Sequence, residues 1–303
     1  MESNENLKYY TQPKLRNPIV ICGIDGWLNG GNVASAGISY CIEQFKAIKF
    51  AELNTPHYHV YQFPGSYSTR PMFKMKDGVI RETAFPENAF YFATMPSSEN
   101  DLIFFSGTEP NLYWEEYADT VAALATEFGA KRLYTFGGLF ERLPYSREPN
   151  INCTCTGDKV RKEMEKYNVI MSNREGPASI NLMLLYACQK KGIDGVNLTV
   201  RAPVYPEFNA TIEYSPRSIK AVFVRLFHHI GIQLNFDKLD NDINVNDEKF
   251  DAIRKDNPQF NTYIEELERN YHEMPYEPFD LSADEILKFA EELLQKNRDD
   301  KQE

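Results

Sequence analysis

Residues 18–37, PIVICGIDGWLNGGNVASAG, indicate the fold class of this chain. The run Pro18–Cys22 is short and apolar, which predicts a buried β-strand. A glycine-rich turn follows at residues 23–31, and Asn32 is a candidate N-cap for the next helix. Small residues at 34–37 would let that helix lie close to a sheet. A strand, a tight turn and a helix in this order are typical of α/β proteins.

The alternation of strands and helices continues through most of the chain. Apolar runs predict further strands at 57–63, 89–94, 101–105, 131–136 and 196–204, and helical periodicity predicts helices at 33–48, 111–128, 177–191 and 216–230. Lys76-Asp77-Gly78 lies between two apolar runs in 70–83 and predicts a β-hairpin, whereas residues 139–156 are predicted to form a loop. We therefore expect a three-layer α/β domain with a mixed, mostly parallel sheet.

The character of the sequence changes near Phe236. Residues 237–249 are acidic and rich in asparagine, which predicts a linker or loop, and helical segments are predicted around 247–255 and 259–271. The last helix begins at the capping box Ser282-Ala-Asp-Glu285 and runs to Lys296. The predicted organisation is an N-terminal tail at 1–17, an α/β domain at 18–239, a helical C-terminal appendage at 240–297 and a tail at 298–303.

Composition excludes several classes of partner. The 303 residues include 33 Lys and Arg against 44 Asp and Glu, and the resulting net charge of −11 argues against binding to nucleic acid. No apolar run approaches the roughly 18 residues of a membrane-spanning helix, and the polar N-terminus lacks the core of a signal peptide. Five cysteines, an odd number that lies mostly in apolar stretches, favour reduced thiols in a cytoplasmic protein.

Several loops with glycine and polar residues follow predicted strands, where open α/β sheets bind ligands. The candidate ligand-binding residues are Asp25, Trp27, Asn29, Gly30, Gly31, Asn32, Gly107, Glu109, Arg147 and Glu175. Each has a structural alternative: the first loop can be a tight turn that needs glycine, and Glu109 can stabilise a helix N-terminus. Arg147 can pair with a neighbouring glutamate. The first loop also matches neither a Walker motif nor Gly-x-Gly-x-x-Gly.

Metal and cofactor sites are not predicted. Cys153-Thr-Cys155 has one spacer residue and no second cluster of cysteine or histidine, so a structural or incidental role is the simpler interpretation. The five histidines lack metal-ligand spacing, and no Gly-x-Ser-x-Gly motif of an α/β-hydrolase is present. We therefore expect no cofactor.

Four stretches, taken in order, resemble the PAC2 family, the proteasome assembly chaperone 2-like proteins of archaea, bacteria and eukaryotes. They are GWLNGGNVA at 26–34, DLIFFSGTEP at 101–110 with Trp114, LPYSR at 143–147, and EGPASI at 175–180 with later matches up to Leu239. The resemblance implies a phosphorylase/hydrolase-like three-layer α/β/α fold. It also implies self-association, with a trimer favoured, and a role as a chaperone or activator of protein assemblies.

Departures from the family pattern bear on the function. Tyr145 and Val204 replace histidines, and Asn29 replaces an acid, so an acid–base mechanism at these positions is not expected. The C-terminus, Asp299-Asp-Lys-Gln-Glu303, lacks the hydrophobic-Tyr-x ending by which relatives engage the 20S proteasome, so such docking is not expected.

Two functional hypotheses follow. The first is a non-catalytic, homo-oligomeric protein of assembly-chaperone type that binds other proteins. The alternative is a small-molecule-binding enzyme, either of phosphorylase/hydrolase-like fold or of the carboxylate–amine ligase type attached to some relatives, with a pocket at the carboxyl ends of the strands. An ATP-grasp ligase needs lysines over its nucleotide and paired carboxylates for magnesium, and the sequence shows no such constellation.

Overall fold

The computed structural model describes residues 6–61 and 70–276, with the side chain of residue 209 left out. The strands in this part of the chain are β1 (Leu7–Tyr9), β2 (Ile19–Asp25), β3 (Ile48–Leu53), β4 (Met72–Lys76), β5 (Val79–Ala84), β6 (Ala89–Ala93), β7 (Leu102–Thr108), β8 (Arg132–Glu141), β9 (Ile151–Cys155), β10 (Ile170–Met171) and β11 (Asp194–Pro203). The helices are α1 (Val33–Gln44), α2 (Thr55–Tyr58), α3 (Trp114–Glu127), α4 (Asp158–Met164), α5 (Ile180–Lys190), α6 (Pro206–Thr211), α7 (Pro216–Ile230), α8 (Asp237–Asp256) and α9 (Pro258–Asn270).

One mixed sheet of nine strands forms the centre of the molecule. Its order is β1-β3-β6-β7-β2-β8-β11-β9-β10. The four neighbours β7, β2, β8 and β11 are parallel, whereas the pairings from β1 to β7 and the β11–β9 pairing are antiparallel. The predicted α/β class with a mixed sheet is confirmed, and the parallel strands direct their carboxyl ends to one edge.

Helices cover both faces of this sheet. Ile19 and Ile21 of β2 face a cluster that includes residues of α1, α4 and α7. Val20 and Cys22 alternate with them and face a second cluster that includes residues of α3 and α5. Because successive side chains of a strand point to opposite faces, this alternation buries both sides of β2 and confirms the three-layer arrangement.

The small residues of the opening stretch let α1 approach the sheet. A Cβ placed on Gly23 of β2 would lie 2.5 Å from the carbonyl oxygen of Ala34 and 2.6 Å from the Cβ of Ile38. No side chain larger than that of glycine fits between this strand and helix without moving backbone. The predicted close packing of the first helix on the sheet is therefore confirmed.

Three sequence predictions are wrong. The acidic stretch 237–249, predicted to be a linker or loop, belongs to α8, because Leu239, Ile243 and Phe250 are buried on one side of that helix. Tertiary packing overrides the poor helix propensity of its many Asp and Asn residues. The predicted loop 139–156 contains β9, and the predicted strand at 57–63 begins instead inside α2.

Helix α5 also starts later than predicted. It begins at Ile180, and the Ser179 hydroxyl accepts a hydrogen bond from the Leu182 N–H as its N-cap. Residues 172–179, including Pro177, therefore remain outside the helix and connect β10 to α5.

The C-terminal helices α8 and α9 pack on the α/β body through a third apolar cluster. Its buried members are Tyr145, Tyr205, Phe208, Phe250, Phe260 and Ile264. The predicted helix at 282–296 and the tail at 298–303 lie outside the described residues. Within the predicted N-terminal tail at 1–17, Leu7–Tyr9 pairs with β3 at one edge of the sheet.

Arg225 fastens the C-terminal segment to the body. It lies on α7 with only 1% of its surface exposed. Its guanidinium donates hydrogen bonds to the carbonyl oxygens of Tyr167 (2.9 Å) and Met274 (2.7 Å), and it forms an ion pair with Glu148 at 2.8 Å. One buried side chain thus joins a helix, two loops and the segment after α9.

A β-hairpin formed by β4 and β5 makes a separate two-stranded sheet. Asp77 and Gly78 at its tip have φ values of 54° and 74°, as a two-residue turn of type I′ requires, so the predicted hairpin is confirmed. Every residue of both strands is exposed. Within the described part of the chain, the apolar side chains of the hairpin therefore remain exposed.

Over the described ranges, 6–61 and 70–276, the helices are too short or too polar to span a lipid bilayer.

Candidate functional site

The loop at residues 26–32 lies over the carboxyl end of β8. The Gly138 N–H donates to the carbonyl oxygen of Leu28 at 2.9 Å, and Asn29 forms an isolated parallel bridge with Gly138. A Cβ on Gly138 would lie 2.0 Å from the carbonyl oxygen of Gly30, and one on Gly137 would lie 2.2 Å from that of Leu28. The two glycines of β8 are therefore the reason why this loop can add to the sheet.

Asn29 organises the start of α1. Its Oδ1 accepts hydrogen bonds from the N–H groups of Ala34 (2.9 Å) and Ser35 (3.1 Å), and its Nδ2 donates to Asp25 Oδ1 at 2.7 Å. The predicted N-cap, Asn32, occupies the capping position with a left-handed φ of 51°, but its side chain makes no capping bond and donates to the Glu213 carbonyl at 2.6 Å. The capping function therefore belongs to Asn29.

Replacement of Asn29 by alanine is expected to lower the free energy of unfolding by about 1–2 kcal/mol, because two N–H groups of α1 lose their acceptor. Urea denaturation at pH 7 measures this change. Ser39→Ala is the matched control, since its hydroxyl bonds only to a carbonyl one turn back on the same helix. Equal stability of the Asn29 variant and the wild type would contradict the assigned role.

Glu109 ties the loop to α5. Its carboxylate accepts the N–H of Trp27, and the backbone N–H of Ile180, the first residue of that helix, also favours its charged form. Burial raises the pKa of Glu109, and the charge of Asp25 adds to the increase, while the N–H groups of Trp27 and Ile180 oppose it. A Cβ on Gly26 would lie 2.2 Å from Glu109 Oε2, so glycine is needed there for the carboxylate to fit.

The structure brings four of the candidate residues together: Asp25, Trp27, Asn29 and Glu109. Gly30 and Gly31 lie beside them, and Gly107 is buried inside β7 with no room for a side chain beside Tyr117. Arg147 instead pairs with Glu273, 3.6 Å away, where the chain leaves α9. Glu175 is exposed in the connection before α5. Ligand binding by these residues remains a prediction.

A polar cleft of about 380 Å³ opens next to Trp27. Its floor is formed by Asn152 and Thr154 of β9 and by Asn197 and Thr199 of β11, which lie opposite each other in the antiparallel pairing. Arg201, two residues beyond Thr199 on the same face of β11, lies at the side of the cleft. None of these five residues is among the candidate ligand-binding residues predicted from the sequence; the signal for those on β11 is the polar alternation in Val196-Asn-Leu-Thr-Val-Arg201.

Cys153 and Cys155 lie on β9 with their sulfur atoms 3.6 Å apart, and neither cysteine forms a disulfide bond. Among the described residues, no three or more His, Cys, Asp or Glu side chains are grouped so that they could hold a metal ion.

Comparison with known proteins is decisive for the family. The PAC2 family model matches residues 23–253, more than half of the chain. The chain belongs to the PAC2 family. The sequence itself has no significant match among curated proteins.

Solved structures of PAC2-like proteins share this fold. A proteasome-assembly chaperone homologue of Mycobacterium tuberculosis is 21% identical, with a TM-score of 0.68, and the match covers 81% of this chain and 99% of that one. The archaeal proteasome activator PbaB of Pyrococcus furiosus is 22% identical, with a TM-score of 0.63, covering 82% and 98%. An M. tuberculosis protein of unknown function reaches a TM-score of 0.77 at 18% identity, covering 88% and 89%.

Three of the four stretches that resemble PAC2 proteins meet at Glu109. This residue belongs to the second stretch, accepts the N–H of Trp27 of the first, and is favoured in its charged form by the N–H of Ile180 of the fourth. The third stretch points elsewhere: Tyr145 donates to Asp251 at 2.6 Å and packs on Phe250 with ring centroids 4.6 Å apart. In this chain, the PAC2 stretches therefore lie where loop 26–32 meets α5 and, separately, where α8 packs on the α/β body.

Proposed function

We propose that this PAC2 protein is a non-catalytic, self-associating protein that binds other proteins in the manner of an assembly chaperone. The observation that carries the proposal is the β4–β5 hairpin. Met75 is 67% exposed and Ile80 is 56% exposed, and the two residues pair across the strands. Met72, Phe73, Val79 and Phe85 add further exposed apolar surface at or beside the hairpin.

Such a hairpin needs a partner surface. An isolated two-stranded hairpin is at best marginally stable in water, and contiguous exposed apolar patches mark protein–protein contacts. Burial of apolar area contributes about 25 cal/mol per Å², so covering several of these side chains would stabilise both the hairpin and the complex.

Charge favours a second copy of this chain as the occupant. Residues 70–85 contain four basic residues, Arg70, Lys74, Lys76 and Arg81, but only two acidic ones, Asp77 and Glu82. The hairpin segment 70–85 therefore carries a net charge of +2, whereas the whole chain carries −11. The positive hairpin of one copy is thus electrostatically complementary to the negative remainder of another copy. We propose a closed homo-oligomer, with a trimer as the preferred state.

The carboxylates of the predicted pocket support a non-catalytic role. Asp25 accepts the Asn29 amide, and Glu109 accepts the Trp27 N–H, so both acids serve to hold loop 26–32. The names of relatives, an assembly-chaperone homologue and a proteasome activator, support the same class of role for this chain. The five unpaired cysteines support a cytoplasmic location.

Self-association can be tested by size-exclusion chromatography with light scattering at micromolar concentration. We expect the wild type to be oligomeric and the double variant Met75→Ser, Ile80→Ser to be monomeric. The matched control is Tyr186→Ser on α5, which removes a side chain of similar exposure, 54%, away from the hairpin. A strictly monomeric wild type, or a double variant that still associates fully, would refute the proposal.

Protein binding can be tested with a photo-crosslinking amino acid placed at position 75 or, as control, at position 186. Crosslinks to a second copy and to defined host proteins are expected from position 75 only. Affinity purification from the native host then identifies those proteins. Equal crosslinking from both positions would mean that the hairpin is not the docking element.

A further inference from the structure

The polar cleft beside Trp27 interrupts an otherwise apolar layer. On the face of β11 that packs against α1 and α7, Val196, Leu198 and Val200 are fully buried. The opposite face carries Asn197 and Thr199, which are also buried. Buried polar side chains in a central strand are costly unless they are bonded or used, so this face requires an explanation.

Hydrogen bonds fix the floor of the cleft. Asn197 Oδ1 accepts from the Thr135 hydroxyl (2.9 Å) and from the Asn181 amide (3.2 Å), and Asn197 Nδ2 donates to the Thr199 hydroxyl (3.0 Å). All of these residues are buried. The floor is therefore preorganised, as ligand sites generally are.

The charge of the cleft is opposite to that of the molecule. Its lining includes Arg174 and Arg201 and, among the described residues, no Asp or Glu. Arg201 donates to Asn152 Oδ1 at 2.8 Å, and its Nε lies 3.4 Å from Glu141, which is not among the residues that line the cleft. In a chain with a net charge of −11, two arginines in a cleft without carboxylates form a local attraction for anions.

Trp27 adds a flat apolar wall. It is 53% exposed, although its backbone is held by Glu109 and its loop by the glycines of β8. An exposed indole at the rim of a cleft, on a loop whose backbone is held in this way, suits stacking against a planar ring. The volume of about 380 Å³ lies within the ~300–1,000 Å³ range of small-molecule sites.

We propose that this cleft binds an anionic small molecule, with its phosphate or carboxylate group between Arg174 and Arg201 and a planar group stacked on Trp27. The site lies on the main sheet and involves none of the residues of the β4–β5 hairpin. Its test is therefore independent of the proposed self-association.

The experiment uses Trp27 as its own reporter. The chain has two tryptophans, so Trp114→Phe leaves Trp27 as the only one. In this background, AMP is expected to quench the fluorescence saturably, whereas adenosine at the same millimolar concentration is not. AMP and inorganic phosphate are both expected to raise the melting temperature of the wild-type protein.

Arginine variants identify the contacts. Arg174→Ala and Arg201→Ala should each weaken AMP binding at least about tenfold, because each removes a charge-assisted hydrogen bond. Arg174 is exposed, so its variant tests the site without disturbing the core. Arg161→Ala, on α4, is the matched control and should leave binding unchanged; its side chain pairs with Asp158 and Glu165.

Three results would overturn the proposal. The first is the absence of both quenching and thermal stabilisation at millimolar AMP. The second is unchanged AMP affinity in both arginine variants, and the third is binding of adenosine as tight as that of AMP. Stabilisation by phosphate without any change of Trp27 fluorescence by AMP would refute the stacking on Trp27.

Discussion

Replacement of Arg225 by alanine is expected to lower the free energy of unfolding by about 3–5 kcal/mol. The change removes the donor for the carbonyl groups of Tyr167 and Met274 and leaves a space in a fully packed part of α7. A buried carbonyl group that loses its partner, as that of Tyr167 would, costs roughly 1–3 kcal/mol, and the part-buried bond to Met274 adds less. Urea denaturation followed by circular dichroism at neutral pH measures the loss.

Arg225→Lys separates charge from geometry. Lysine keeps the attraction to Glu148, but a single ammonium group cannot reach the carbonyl groups that the forked guanidinium binds in different directions. We expect an intermediate loss of stability. Arg161→Ala, which breaks exposed ion pairs only, should change the stability by less than about 1 kcal/mol. If Arg225→Ala were as mild as this control, Arg225 would not fasten the C-terminal segment.

The second large effect is expected for Gly138→Ala, with a loss of about 3 kcal/mol. The added methyl group would stand 2.0 Å from the Gly30 carbonyl oxygen, which is backbone and cannot rotate away. Loop 26–32 must therefore move off β8, and Trp27 must move with it. Urea denaturation reports the stability, and the emission maximum of Trp27 in the Trp114→Phe background reports the displacement.

Gly157→Ala is the matched control for this prediction. A methyl group at Gly157 would meet nothing within 4 Å, and its φ of −164° is extended backbone that alanine adopts readily. Because Gly157 is the N-cap residue of α4, where glycine is preferred to alanine, a loss of up to about 1 kcal/mol is expected. Similar losses of unfolding free energy in the two variants would contradict the prediction, because the contact between β8 and the loop would then accommodate a methyl group.

The α/β body is predictable because its signals are local. The runs that became β2, β7 and α7 combine apolar residues at strand or helix period with clear turn residues. The N-terminal half of helix α8 escaped prediction because only three of the 20 residues of this helix are buried in the core, and Asp and Asn dominate the rest. Strand β9 escaped because Ile151-Asn-Cys-Thr-Cys155 faces a polar cleft on one side.

The candidate site was predictable only in part. Asp25, Asn29 and Glu109 follow strands that are neighbours in the sheet, so the rule for carboxyl ends brings them together. Arg147 lies away from the other candidate residues because the position of its loop depends on α8 and α9. The packing of these helices is decided by aromatic residues that are far apart in the sequence. The polar cleft joins residues 27, 154, 174 and 199, which no spacing rule connects.

The nine-stranded sheet ends in very short strands, with three residues in β1 and two in β10. Such edges offer few unpaired backbone groups, so molecules cannot readily add to one another edge to edge into open fibres. The β4–β5 hairpin, with strands of five and six residues, is longer than these edge strands. If copies associate through this hairpin, as proposed, a contact that closes by rotation would give an assembly of fixed size and not an open fibre.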